Sequence, residues 1–159
     1  MTTGLCAVRS TKLPDDSALR ARIAPADFMD CFSVASSASA RTAAETITAF
    51  PAWARFLLVI RKIVTVPFGL SQDGPEAEDK LGPFPVEKES ADELIAGFND
   101  RHLDFRVAVI ARQGRVFLST WVRPHNLGGR LYLRTIMPFH ILIARDALAR
   151  VAARYPAGS

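Results

Sequence analysis

His102, Asp104 and Arg106 alternate along a strand-like run, so their side chains leave one face of the chain together. Imidazole, carboxylate and guanidinium in a row can hold the polar head of a ligand. Alternatively, Asp104 can fix the tautomer of His102 for proton transfer. The same residues also suit a polar ladder on the solvent side of a sheet, with Leu103, Phe105, Val107 and Val109 forming the apolar face. His140 stands centrally on an apolar helical face, between Met137 and Ala144 and beside Ile136 and Ile143. Such a histidine is either a hydrogen-bonded core residue or the group that orients a ligand against that face. Arg130 and Tyr132 follow a glycine pair; Arg130 either closes a corner on backbone carbonyls or grips a carboxylate bidentately. Arg61 lies on the less apolar flank of a second helix, placed to pair with a carboxylate such as Asp104. Trp53, Phe56, Trp121, Leu133 and Met137 are candidate walls for an apolar pocket.

Several chemistries lack their residues. The three histidines are scattered and none is paired at i, i+4 with a carboxylate, so no metal site is expected. The two cysteines, Cys6 and Cys31, have no CxxC spacing, which argues against a thiol metal site or a disulfide scaffold. Cys31 sits in an apolar strand-like run and reads as a buried, inert thiol. No G-x-S-x-G marks a hydrolase nucleophile, and no G-x-G-x-x-G follows a strand, so no cofactor is expected.

The elements that must position these groups follow from periodicity. Residues 1–25 are weakly patterned, contain Pro14 and Pro25, and read as an arm on the surface of a single domain over residues 26–156. Residues 27–34 alternate, with Phe28, Asp30, Phe32 and Val34 on one side, which predicts a first strand. Thr42-Ala43-Ala44-Glu45 fits a capping box opening a short helix, and Pro51 fits the first turn of a second. In that second helix Trp53, Phe56, Leu57, Ile60, Ile63 and Val64 form an apolar stripe, and Pro67 and Gly69 end it. Residues 71–85 form a polar connection with Pro and Gly. Strands are expected over 84–89, 93–99, 102–112 and 115–123, the last two joined at Gln113-Gly114 as an antiparallel hairpin. Asn126 to Gly129 reads as a turn. Residues 130–155 read as a long helix, kinked or started at Pro138, with Leu133, Met137, His140, Ala144, Leu148, Val151 and Tyr155 on one face. The order β-α-α-β-β-β-β-α buries its apolar faces economically as an α+β fold: a curved antiparallel sheet packed around the long C-terminal helix.

At 159 residues, 49% apolar and 23% charged, the chain fits one globular domain. The first residues lack the apolar core of a secretory signal, and the most apolar span, Phe50 to Leu70, is broken by Arg55, Arg61 and Lys62. A cytoplasmic protein without a membrane span is expected. The net charge of +4 is unevenly spread, with an acidic middle from Asp73 to Glu93 and an arginine-rich last third. No nucleic-acid motif accompanies it, so pairing between the two segments explains the pattern better than a phosphate-binding face.

Five segments, in order, carry a resemblance: Pro51-Ala52-Trp53 with Leu58 and Arg61; Phe68-Gly69-Leu70; Asp100 through Arg106; Gly129-Arg130-Leu131-Tyr132; and Pro138-Phe139-His140. Over Ala26 to Tyr155 the chain resembles the bacterial domain-of-unknown-function 2867 family. The resemblance implies a START-like, Bet v 1-like helix-grip fold, whose members bind small apolar molecules between sheet and helix and in some cases act as enzymes. Three functions stay open: binding a small, largely apolar ligand; acid–base catalysis by His102, Asp104 or His140; or a structural, partner-binding domain with a filled core. Neither the ligand nor the oligomeric state is legible.

Overall fold

In the central strands both sets of alternating residues are apolar, so one sheet has to be covered on two sides. The computed structural model, which describes residues 8–55, 59, 79–82 and 84–158, does this with helices on one face and residues 13–23 on the other. The strands are β1 (Arg9–Ser10), β2 (Phe28–Ala35), β3 (Lys80–Leu81), β4 (Phe84–Glu89), β5 (Glu93–Asn99), β6 (Leu103–Arg112) and β7 (Arg115–Pro124). They form a seven-stranded sheet in the order β1-β2-β7-β6-β5-β4-β3, with every pairing antiparallel. A 3-10 helix (Ala18–Arg22), a short helix (Ala40–Thr48), a helical turn at 52–55 and a long helix (Leu127–Arg154) accompany it. The fold is the expected α+β arrangement, consistent with a helix grip. The two-residue strands β1 and β3 at the sheet's edges are additions to the expected order.

The β6–β7 hairpin turns on Gln113 (φ 52°) and Gly114 (φ 73°), the left-handed pair that a two-residue turn between twisted strands needs. On the inner face Phe32, Val34, Leu94, Ala96, Val109, Val116 and Leu118 meet Ala43, Ala44 and Ile47 of the short helix and Ala144, Ala147, Leu148 and Val151 of the long one. The predicted helical face is therefore the one that packs.

Both helices begin earlier than expected. Ser39, not Thr42, caps the short helix: its hydroxyl accepts from the Thr42 N–H, while Glu45 pairs with Arg41. Asn126, placed in a turn by its glycine neighbours, caps the long helix by accepting from the Gly129 N–H at 2.9 Å. Gly129 lies inside the first turn because a Cβ there would sit 2.2 Å from the His102 carbonyl oxygen. Pro138 lies within the helix and does not start it. The expected stripe of Phe56, Leu57, Ile60, Ile63 and Val64, the helix end at Pro67 and Gly69, and most of the 71–85 connection fall outside the described residues.

On the outer face, residues 13–23 supply a second apolar layer, whereas Val8 belongs to the inner core beside the helices. Leu13 and Leu19 are buried against Ile95, Ala108, Ile110 and Trp121. Glu93 of β5, itself buried, fastens this segment by accepting from Ser17 Oγ (2.5 Å) and the Ala18 N–H (3.0 Å). Leu19 is 1% exposed, so Leu19→Ala opens a cavity between arm and sheet. We expect it to cost about 2–5 kcal/mol in urea unfolding with one cooperative transition. A loss below about 0.5 kcal/mol, the usual range of a surface substitution, would mean that this layer adds nothing to the core.

Candidate functional site

Among the described residues, exposure on the inner face rises from one end to the other along β2, β6 and the long helix, while Thr120 and Val122 of β7 and Phe98 of β5 stay buried between them. In β2, Phe32 and Val34 are buried whereas Phe28 and Asp30 are half-buried; in β6, Val109 is buried whereas Phe105 and Val107 are half-buried. The long helix repeats the pattern: Ala144, Ala147, Leu148 and Val151 are buried, while Tyr132, Leu133, Ile136, Met137 and His140 are half-buried. Small alanines let the second half of the helix seat closely on the sheet. The larger side chains of the first half stand between layers that have not closed around them. The sheet side of this opening is aromatic, with the Phe98 and Phe84 rings edge-on to Phe105 at 4.8 and 5.4 Å.

His140 sits at the boundary between the closed and open ends. Its Nε2 lies 2.9 Å from Asp30 Oδ2, and its ring stands edge-on to Phe28, with centroids 6.4 Å apart. Asp30 faces the helix because it shares the parity of Phe32 and Val34, and its neighbour across the ladder is Thr120 of β7. The other Asp30 oxygen, Oδ1, is buried and has no hydrogen-bond partner among the described residues. Holding a carboxylate oxygen out of water without a donor is costly, so Oδ1 is a ready acceptor for a donor arriving in the opening.

The other expected residues do not gather here. Asp104 and Arg106 share the parity of Ala108 and Ile110 and so lie on the outer face, away from the long helix. Asp104 pairs with His125 (3.1 Å), and Arg106, 6% exposed, donates from Nε to Glu87 (2.6 Å). His102 precedes β6 and takes a hydrogen bond from the Asn126 cap (2.9 Å). Imidazole, carboxylate and guanidinium thus each engage a different partner. Met137 and Tyr132 line the open half of the helix, and Arg130 is exposed on its first turn. Trp53, on the helical turn at 52–55, is 39% exposed. Arg61 lies outside the described residues. Trp121, expected as a wall beside the helix, is buried on the outer face, its Nε1 donating to Asp27 and its ring between the Arg22 and Arg123 guanidiniums (5.6 and 5.1 Å).

The sequence reading missed Asp30 as the partner of His140, and His125 as that of Asp104. Alternation puts Asp30 on the side of Phe28, Phe32 and Val34, but its partner is 110 residues away. Asp27 was also missed: it accepts from Arg123 Nε (3.0 Å) and Nη2 (2.8 Å), the Ala24 N–H (2.8 Å) and Trp121. Arg123 foremost, then these neutral donors, hold its carboxyl well below the usual range. Burial, then the Asp30 carboxylate, pushes the Cys31 thiol up to about 12, which leaves it protonated and unreactive. Among the described residues no three His, Cys, Asp or Glu side chains gather as metal ligands.

The Asp104 carboxylate, then the Arg101 carbonyl, raise the pKa of His125. A raised folded-state value means this contribution is full below the unfolded histidine value of about 6.5 and fades as pH rises through the folded one. Denaturant titrations of wild type and His125→Gln from mildly acidic to mildly alkaline pH should show that decline only in the wild type. Parallel curves would mean that the pair contributes nothing.

Comparison with known proteins gives one family. The family model described as protein of unknown function (DUF2867) matches residues 22–147, which span all of β2 through β7 and most of the long helix. No curated protein and no solved structure matches the chain.

Proposed function

We propose that this chain, which belongs to the DUF2867 family of proteins of unknown function, binds a small, largely apolar molecule between the inner face of the sheet and the first half of the long helix. The observation that carries this reading is the burial gradient shared by the long helix with β2 and β6, which leaves Phe28, Phe105, Leu133 and Met137 half-covered at the same end. An apolar ligand there removes Phe28, Phe105, Leu133 and Met137 from water, and a fully buried side chain of that size contributes about 1.5–3 kcal/mol. The Asp30–His140 pair gives the apolar walls one polar anchor, the usual make-up of a small-molecule site. Asp30 Oδ1 accepts from a ligand hydroxyl or amide, and the contact through Oδ2 fixes the imidazole. The working unit in this reading is one domain over residues 26–156, with residues 1–25 as its arm.

A second reading rests on the 2.9 Å contact itself. A carboxylate that orients an imidazole is the arrangement of a general base, so the same pair suits proton transfer on a bound molecule.

Native mass spectrometry of protein purified from its host, followed by titration with 1-anilinonaphthalene-8-sulfonate, tests the binding reading. We expect an adduct in the spectrum or saturable fluorescence that His140→Ala weakens about tenfold. That substitution also strands Asp30 at a cost of about 1–3 kcal/mol, visible in the melt. A ligand-free protein that binds no probe while His140→Ala still lowers the melting temperature would make the pair a core feature and the cleft a filled one.

A further inference from the structure

A helix that packs one face on a sheet ordinarily turns polar side chains outward, and the first four turns of the long helix expose large apolar side chains there as well, beside Arg130, Arg134 and Thr135. Leu127 (70% exposed), Leu131 (56%), Phe139 (50%) and Leu142 (51%) face away from the sheet. At roughly 100° per residue, Leu127, Leu131 and Leu142 fall within about 60° of one another, with Phe139 at one margin of the exposed sector. Arg130 and Arg134 lie along the other margin; both are exposed, and neither pairs with a carboxylate among the described residues. From Phe105 to Arg145 the chain contains no aspartate or glutamate, so the stripe has no acid of its own.

We infer that this outward face docks on an anionic lipid surface. An apolar stripe edged by exposed arginines is the composition of a helix lying in the plane of a membrane interface, where the apolar side chains enter the headgroup boundary and the cations meet lipid phosphates. Size argues against a protein partner. Residues 127–142 span about 24 Å, and at a helix width of about 10 Å they offer roughly 240 Å². A stable protein interface takes about 800 Å² from each side. Charge argues against a second copy, because pairing two such stripes sets arginine against arginine with no carboxylate between them. The contact inferred is a peripheral one; no described helix is long and apolar enough to cross a membrane. It is independent of the proposed cleft, since Leu127, Leu131 and Leu142 lie about 140–180° around the helix from His140.

Co-sedimentation of the whole chain with phosphatidylcholine vesicles, with and without phosphatidylserine, tests the inference. The protein should pellet with the anionic vesicles, less with the neutral ones, and progressively less as salt rises. Arg130→Ser and Arg134→Ser should each weaken partitioning about fivefold. The double variant Phe139→Ser, Leu142→Ser should weaken it at least about tenfold with an unchanged thermal melt. Three results overturn the inference: no sedimentation with either vesicle; a wild-type dimer in light scattering that the double variant converts to monomer; or retention on immobilised polyglutamate without vesicle binding, which assigns the face to an acidic protein.

Discussion

The antiparallel ladder between β2 and β7, running from Phe28 opposite Val122 to Ala35 opposite Arg115, sets the positions of nearly everything else. It joins the first long strand to the last, so the sheet is continuous across the segment that carries the short helix. By the period-two rule it also sorts the polar residues of β2 and β7. Asp30 and Thr120 go to the helix side; Met29, Ser119 and Trp121 go to the other. A one-residue slip of β2 would send Asp30 outward and remove the partner of His140; the same slip of β7 would instead bring Trp121 under the long helix. The arm obeys the same register, since the Asp27 carboxylate that holds Trp121 and Arg123 stands one residue before β2 begins.

Much of this was legible because apolar periodicity is a local signal. The five long strands, the Gln113-Gly114 turn and the buried face of the long helix follow from residue types within a few positions of each other. The family resemblance supported the same architecture. What escaped the sequence depends on contacts at long range. Gly128-Gly129 has the composition of a turn, and only the approach of the His102 carbonyl explains why a helix needs glycine there. Leu13 and Leu19 lie in a stretch without periodicity, and they count as core only once β5, β6 and β7 present an apolar outer face. Alternation put Asp104 and Arg106 on one face but could not say which face that was.

The arginines illustrate how one residue type serves several purposes. Arg106 and Arg112 engage Glu87 and Asp92 of the acidic middle, as the uneven charge suggested. Arg123 turns instead to Asp27, Arg145 donates to the Val8 carbonyl, and Arg150 caps carbonyls at Thr46 and Ala49 while pairing with Asp146. The guanidinium, with donors in a fixed plane, can bridge a carboxylate and a backbone carbonyl at once, which suits it to pin arms and helices onto a sheet. These engaged arginines rigidify the outer face and the closed end of the inner one. The open end keeps its polar groups few.

Pro138 falls close to the boundary between the half-covered and buried lengths of the long helix. Having no N–H, it leaves the Arg134 carbonyl without its helical partner, so a bend at this turn sacrifices no hydrogen bond. The helix is consequently two segments with different lifetimes. The portion from Ala144 onward is held by the core and exchanges its amide hydrogens only with deep opening of the protein. The portion before Pro138 has fewer buried contacts and exchanges through shallow local opening. A flex at that turn would move the first half of the helix relative to the sheet while the fold behind it stays intact.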